Sequence, residues 1–135
     1  MMKDTQSIYY LDDDPDDLHF FKEVAENLGH NVSIFINGNV MLKALEKGKL
    51  PDIIFLDIRM PVFNGEEILD IIKKSEVWKE IPIVMISGAY PKSLVKRYLE
   101  SGANYLMKKP GNLGDLKISL EQVLSIDWNN FQAYT

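Results

Sequence analysis

Short runs of bulky apolar residues alternate along the chain with longer segments in which apolar residues recur every three or four positions. The clearest run is Ile53-Ile54-Phe55-Leu56. An unbroken apolar run of this length is typical of a strand buried on both faces of a parallel sheet. Similar runs predict five strands, at residues 6–12, 32–36, 53–57, 82–87 and 104–108.

The segments between the strands carry the pattern of amphipathic helices. Leu18, Phe21 and Val24 form an apolar stripe at helical spacing, Pro15 favours the first turn, and Gly29 favours the end of the helix. Comparable signals predict helices at residues 15–28, at 40–47, from Gly65 onward with Ile68, Leu69, Ile71 and Ile72, from 91 to about 100, and at 113–124.

This order of elements predicts an α/β fold of the (βα)₅ type. Strictly alternating strands and helices with short links form a doubly wound, five-stranded parallel sheet with helices on both faces. A length of 135 residues fits a single domain. We therefore expect one domain over residues 1–135, with a core at about 6–126 and a C-terminal extension at 127–135. Trp128, Phe131 and Tyr134 recur at helical spacing in this extension and are expected to pack over the sheet edge.

Composition excludes several classes of function. The chain is 46% hydrophobic and 26% charged, which is enough apolar material for a packed core. A net charge of -5 argues against nucleic-acid binding, and no apolar stretch has the length of a membrane span. There is no cysteine and no visible secretory signal, so we expect a cytoplasmic protein without disulfides or thiolate metal sites.

Polar side chains follow the predicted strands at the points where the strands end. Asp12-Asp13, Asp57, Ser87 and Lys109 all lie at such ends. Ligands of open α/β sheets bind beyond the carboxyl ends of the strands, where the strand order reverses. Neighbouring carboxylates there repel one another, and an all-oxygen donor set suits Mg²⁺. The sequence therefore predicts a magnesium site at this edge of the sheet.

The same residues provide the groups needed to accept a phosphoryl group. Asp57 is a candidate carboxylate nucleophile that would form an aspartyl phosphate. Lys109 offers a mobile positive charge, and Ser87 offers a hydroxyl to a phosphoryl oxygen. We therefore expect phosphoryl-group chemistry centred on Asp57.

Taken together, these motifs resemble the receiver domain of two-component response regulators over nearly the whole chain. The family pattern is an acidic pair after strand one, D-x-x-M-P-x-x-x-G after strand three, Ser or Thr after strand four, and Lys-Pro after strand five. The corresponding residues here are Asp12-Asp13, Asp57 with Met60-Pro61 and Gly65, Ser87, and Lys109-Pro110.

The resemblance implies a flavodoxin-like fold and a role for each motif. Asp57 would be the phosphoacceptor. Asp13 would ligate Mg²⁺ directly, Asp12 directly or through water, and Arg59 through its backbone carbonyl. The Lys109-Pro110 bond would be cis. The phosphoryl donor would be a phosphohistidine on a sensor histidine kinase or a histidine phosphotransfer protein, and the chain would catalyse only its own phosphorylation and dephosphorylation.

The resemblance also implies how the signal leaves the site. In the family, Ser87 is coupled to a switch residue on strand five, usually an aromatic three positions before the conserved lysine. Counting from Lys109 gives Leu106, whereas counting from Lys108 gives Tyr105. Because a proline follows it, Lys109 is the favoured match. The expected output is a downstream protein bound through helix four, strand five and helix five, a surface that would also serve a homodimer.

Two other functions remain open at this level. One is an interaction module of the same fold that works without phosphorylation, for which the unusual Gly88 after Ser87 leaves room. The other is an aspartate-nucleophile phosphatase. That class needs a second acid two residues after the nucleophile, and Arg59 stands there instead.

Overall fold

Strands and helices alternate through the computed structural model, which describes residues 4–58, 65–88 and 92–131. The strands of the described chain are β1 (Ser7–Leu11), β2 (Asn31–Phe35), β3 (Ile53–Asp57), β4 (Ile83–Ser87) and β5 (Tyr105–Lys108). The helices are α1 (Pro15–Asn27), α2 (Gly38–Lys47), α3 (Gly65–Lys74), α4 (Lys92–Glu100) and α5 (Leu113–Leu124).

All strands pair in parallel in one sheet of order β2-β1-β3-β4-β5. The predicted (βα)₅ fold class is therefore confirmed. The chain order reverses at β1, which lies between β2 and β3. A reversal of this kind opens a crevice at the carboxyl ends of the two strands on either side of it. Asp12 follows β1 and Asp57 ends β3, so both aspartates lie at this crevice.

Helix α2 begins at Gly38, two residues before the predicted Val40. The Oδ1 atom of Asn37 accepts hydrogen bonds from the amides of Asn39, at 2.8 Å, and Val40, at 3.3 Å. Asparagine in this role caps a helix, which extends α2 by one half-turn into the predicted turn. The other described elements begin and end within about two residues of their predicted limits.

Helix α1 begins and ends where the sequence signals indicate. The Oδ1 atom of Asp14 accepts a hydrogen bond of 2.9 Å from the amide of Asp16, and Pro15 is the first helical residue. At the other end Gly29 has a φ of 96°, in the left-handed region that glycine tolerates best. The amino end of α1 therefore starts directly after the carboxyl end of β1, beside Asp12.

The core lies in two layers, one on each face of the sheet. Beneath α1 and α5 the buried side chains include Tyr10, Phe21, Phe55, Ile86 and Leu120. Beneath α2, α3 and α4 they include Leu11, Met41, Leu56, Met85 and Tyr98. Strands β1, β3 and β4 are covered on both faces, which explains their unbroken apolar runs. None of the helices in the three described ranges is long and apolar enough to cross a membrane.

The segment after α5 packs against the edge strand β5. The ring of Tyr105 lies 6.5 Å from the ring of Trp128 and 6.0 Å from that of Phe131. The rings of Trp128 and Phe131 lie 5.4 Å apart. The expected packing of these two aromatics over the sheet edge is confirmed, whereas Tyr134 lies outside the described residues.

Candidate functional site

Three carboxylates meet at the crevice between the ends of β1 and β3. Asp12, Asp13 and Asp57 each place one oxygen so that all three oxygens lie within 4.8 Å of one another. Asp12 is fully buried, Asp57 is 5% exposed, and Asp13 is exposed. Two buried carboxylates with an exposed third form an acidic cluster that could bind a metal ion entering from solvent.

Asp12 is held by donors on both of its carboxylate oxygens. Oδ1 accepts a hydrogen bond of 3.0 Å from the amide of Asp14. Oδ2 accepts one from the Tyr10 hydroxyl and another, of 2.9 Å, from the ammonium of Lys109. Burial alone would raise the pKa of Asp12, but these hydrogen bonds outweigh it and hold that pKa below its ordinary value. The carboxylate is therefore ionised and fixed in orientation.

Tyr10 contacts the site although it was not among the predicted site residues. This residue lies within the apolar run of β1 and is only 2% exposed. Burial, the nearby charge of Asp12 and the hydrogen bond to it raise the pKa of Tyr10, so its hydroxyl stays protonated and donates. A signal was present in the sequence, because residues two apart on a strand share a face and Asp12 comes two residues after Tyr10.

Lys109 is bound mainly to two carboxylates other than Asp57. Its ammonium lies 2.9 Å from Asp12 Oδ2 and 2.8 Å from Asp17 Oδ2, but 4.0 Å from Asp57 Oδ1. Burial lowers the pKa of Lys109, but the bonds to Asp17 and Asp12 outweigh this and raise it above its ordinary value. Asp17 was not among the predicted site residues; it occupies the first turn of α1 and contacts Lys109 from there.

Ser87 ends β4, and Gly88, the next residue, lines the site. Ser87 is 2% exposed, and its carbonyl accepts a hydrogen bond of 2.7 Å from the amide of Lys109. This backbone bond ties the ends of β4 and β5 together. Gly88 joins the acidic residues and Lys109 in lining a cleft of about 390 Å³, whose walls are Asp12, Asp13, Asp14, Asp17, Asp57, Gly88 and Lys109. A phosphoryl group would find both an acceptor carboxylate and a cation in this cleft.

Gly65 opens α3, as predicted, and lies directly against Asp57. A Cβ atom at this position would sit 2.5 Å from the carbonyl oxygen of Asp57 and 2.9 Å from the Cε of Met85. The Gly65 amide also donates a hydrogen bond of 3.4 Å to the Ile58 carbonyl. The absence of a side chain lets α3 approach the end of β3 closely, so Gly65 helps to set the position of Asp57.

Pairing of β5 with β4 places the two candidate switch residues on opposite faces of the sheet. Tyr105 packs with the core beneath α1 and α5, and Leu106 packs with the core beneath α2, α3 and α4. Met85, the cross-strand partner of Leu106, also belongs to the second core. Side chains alternate along a strand, so Ser87 lies on the same face as Met85 and Leu106.

Of two further expectations from the resemblance, one falls outside the described residues and the other is wrong. Arg59, whose backbone carbonyl was expected to ligate the metal, lies outside the described residues. The expected cis bond between Lys109 and Pro110 is wrong, because none of the peptide bonds in the described ranges is cis. The trans form is the more stable one for bonds before proline, by about 0.5–1 kcal/mol.

Comparison with known proteins agrees with the class of site that these contacts define. The model of the response regulator receiver domain matches residues 8–121. The chain therefore belongs to the receiver domain family of two-component signalling.

One relative is hybrid signal transduction histidine kinase A of Dictyostelium discoideum, 33% identical over 101 residues. The match covers 73% of this chain and 5% of that kinase. For two further relatives, the match covers 53% and 41% of the relative's length. The chain therefore spans about half or less of the length of these curated relatives.

Solved structures show the same fold at low sequence identity. Chemotaxis protein CheY4 of Vibrio cholerae is 23% identical with a TM-score of 0.79, and the match covers 88% of this chain and 98% of that one. The response regulator Rcp1 is 24% identical with a TM-score of 0.78, covering 96% and 99% of the two chains. These likenesses establish the flavodoxin-like arrangement of sheet and helices.

Proposed function

We propose that Asp57 accepts a phosphoryl group from a phosphohistidine on a partner protein, and that the phosphorylated chain signals through changed protein contacts. One observation carries the proposal: Asp57 shares a cluster of oxygens, all within 4.8 Å, with Asp12 and Asp13, while the Lys109 ammonium lies 4.0 Å away. A buried carboxylate between an acidic cluster and a lysine is suited to accept phosphate as a nucleophile.

The donor set of this cluster fits Mg²⁺. Carboxylate oxygens are the ligands this hard cation prefers, and an exposed Asp13 leaves room for the waters that it retains. Asp12, Asp13, Asp57 and the backbone carbonyl of Arg59 would hold the ion. When bound, it would neutralise the charge on the phosphoryl oxygens. The structure of Rcp1, which shares the fold, is described as an Mn(2+)-bound form, and this supports the assignment.

The transfer itself requires little from the protein beyond position and charge. A carboxylate oxygen of Asp57 forms the new bond to phosphorus while the bond from phosphorus to the histidine nitrogen breaks in line. The released imidazole keeps the electron pair of that bond and stays with the donor protein. Lys109 then balances charge on the phosphoryl oxygens, and the Ser87 hydroxyl donates a hydrogen bond to one of them.

Asp17→Asn should speed phosphorylation of Asp57 by acetyl phosphate about two- to fivefold, because a partly exposed ion pair is worth up to about 1 kcal/mol. Lys109 must give up its 2.8 Å contact with Asp17 to reach the phosphoryl group, and the variant removes that charge. The measurement is the initial rate in the presence of Mg²⁺. Asp16→Asn, on the same turn of α1, is the matched control; an Asp17→Asn rate at or below that control would contradict this role.

The proposed chemistry ends at the aspartyl phosphate rather than at a turned-over substrate. The chain carries Arg59 two residues after Asp57, where an aspartate-nucleophile phosphatase needs a general acid. Without that acid, protonation of a leaving alcohol has no assigned donor. We therefore infer that the domain catalyses only its own phosphorylation and the loss of that phosphoryl group.

Partners and output follow from the same proposal. The phosphoryl donor is a histidine kinase or a histidine phosphotransfer protein, and a histidine kinase among the relatives supports this. Output occurs through α4, β5 and α5, where Leu113 and Ile118 are 49% and 55% exposed on α5, and a homodimer could use the same surface. Leu106 couples this surface to the site, because it shares a face of the sheet with Ser87.

Metal removal gives a direct test of the proposed function. After incubation with acetyl phosphate and Mg²⁺, the intact chain should gain the mass of one phosphoryl group, and fragmentation should locate that group on Asp57. The same incubation in excess EDTA should give no added mass, because the acidic cluster then lacks the cation. Equal phosphorylation in EDTA, or a phosphoryl group on another residue, would sink the proposal.

A further inference from the structure

The hydroxyl of Tyr10 makes a contact that the transfer chemistry does not explain. It donates a hydrogen bond to Oδ2 of Asp12, a carboxylate that is itself completely buried. Tyr10 is a neutral donor and is only 2% exposed. It therefore does not face the solvent from which a phosphoryl group would approach. Its hydroxyl therefore acts on Asp12 rather than on the reacting atoms.

The ring of Tyr10 is fixed by neighbouring aromatics. Its centroid lies 4.3 Å from that of Phe21, and Phe21 in turn lies 5.0 Å from Phe55 at an edge-on angle. These contacts link β1, α1 and β3 within one core. A donor mounted on such a packed ring keeps its position when mobile side chains at the site move.

Lys109 is the donor that must move. It shares Oδ2 of Asp12 with Tyr10, yet the proposed transfer needs its ammonium at the phosphoryl oxygens near Asp57. When Lys109 turns away, Asp12 keeps the Asp14 amide on Oδ1 and Tyr10 on Oδ2. One fixed donor on each oxygen is enough to hold the plane of the carboxylate.

We propose that Tyr10 is a positioning residue for the metal site: its hydroxyl holds the Asp12 carboxylate oriented for the cation and leaves Lys109 free to move to the phosphoryl group. The inference rests on the proposed function. It assigns to this chain a ligand-orienting hydroxyl contributed from inside the core. Hydrogen-bond partners of metal ligands commonly affect metal affinity about 10–100-fold.

The test is the affinity of the purified, unphosphorylated chain for Mn²⁺ alone, measured from the signal of free ion by electron paramagnetic resonance. Tyr10→Phe should raise the dissociation constant about tenfold, because the ring stays and only the orienting donor is lost. Phosphorylation by acetyl phosphate should need correspondingly more Mg²⁺, whereas the rate at saturating Mg²⁺ should change by less than about threefold.

Two variants separate this role from a general loss of packing. Tyr9→Phe removes a hydroxyl from the preceding residue of β1, which lies on the opposite face of the sheet. There the ring centroid of Tyr9 lies 4.8 Å from that of Phe35. Val24→Ala removes packing from the same core but keeps the rings of Tyr10, Phe21 and Phe55 and the Tyr10 hydroxyl. Both should bind Mn²⁺ within about twofold of wild type, whatever their melting temperatures in EDTA.

The possible outcomes distinguish the two proposals. A Tyr10→Phe chain that binds Mn²⁺ as tightly as wild type, or more tightly, overturns the inference about Tyr10 and leaves the proposed function standing. An equal loss of affinity in Val24→Ala also overturns it, because general packing of this core would then explain the effect. A wild-type chain that neither binds Mn²⁺ nor accepts a phosphoryl group would instead overturn the proposed function.

Discussion

Asp57→Asn should leave the chain without any added phosphoryl mass after incubation with acetyl phosphate and Mg²⁺. An amide oxygen is a far weaker nucleophile than a carboxylate, so the bond to phosphorus does not form. Asp12 is a poor substitute, because both of its oxygens already accept hydrogen bonds within the protein. The measurement is intact mass, compared with the wild-type chain treated in parallel.

The same substitution should also make the metal-free chain more stable, by about 1 kcal/mol, because it removes one of three carboxylates that repel one another. Asp70→Asn, on α3, is the matched control, and it should accept the phosphoryl group normally. If the Asp57→Asn chain gained as much phosphoryl mass as the wild-type chain, another residue would be the acceptor. Urea unfolding in EDTA would check the change in stability.

Gly65→Ala should lower the free energy of unfolding by about 1–3 kcal/mol, the usual cost of forcing extra atoms into a filled site. The new Cβ would lie 2.5 Å from the backbone oxygen of Asp57, which is not a flexible side-chain end that could give way. Either α3 or the end of β3 must shift. Phosphorylation should slow as well, because the shift displaces Asp57, the proposed acceptor.

Urea titration monitored by circular dichroism measures the stability change of Gly65→Ala. Gly48→Ala is the control, since a Cβ at Gly48 would meet no atom within 4 Å and its φ of -149° is open to any residue. The control should differ from wild type by less than about 0.5 kcal/mol. A Gly65→Ala chain as stable as that control would show that α3 does not need the close approach to Asp57.

The position of the site was predictable because of where polar residues interrupt the apolar runs. Asp12 and Asp57 each follow a buried strand, and parallel strands bring their carboxyl ends to one edge. The alternating pattern of apolar runs therefore predicted both the fold class and the location of the acidic cluster. Element limits were less accurate, as at Asn37, because capping depends on a side-chain rotamer that the apolar pattern does not report.

The partners of individual side chains were not predictable in the same way. The contact of Lys109 with Asp17 joins residues that are 92 positions apart, and it depends on how α1 sits over the end of β5. The role of Tyr10 was hidden because an aromatic within an apolar strand is normally only core. Likewise, only the pairing of β5 with β4 showed which of Tyr105 and Leu106 shares a face of the sheet with Ser87.

Salt will act unequally on the two ion pairs of Lys109. Mobile ions screen exposed charges far more than buried ones, and the side chain of Asp17 is 37% exposed whereas that of Asp12 is fully enclosed. Higher ionic strength therefore weakens the restraint from α1 and leaves the one from β1 nearly intact. The readiness of this lysine to leave its resting position thus depends on the electrolyte around the domain as well as on its own residues.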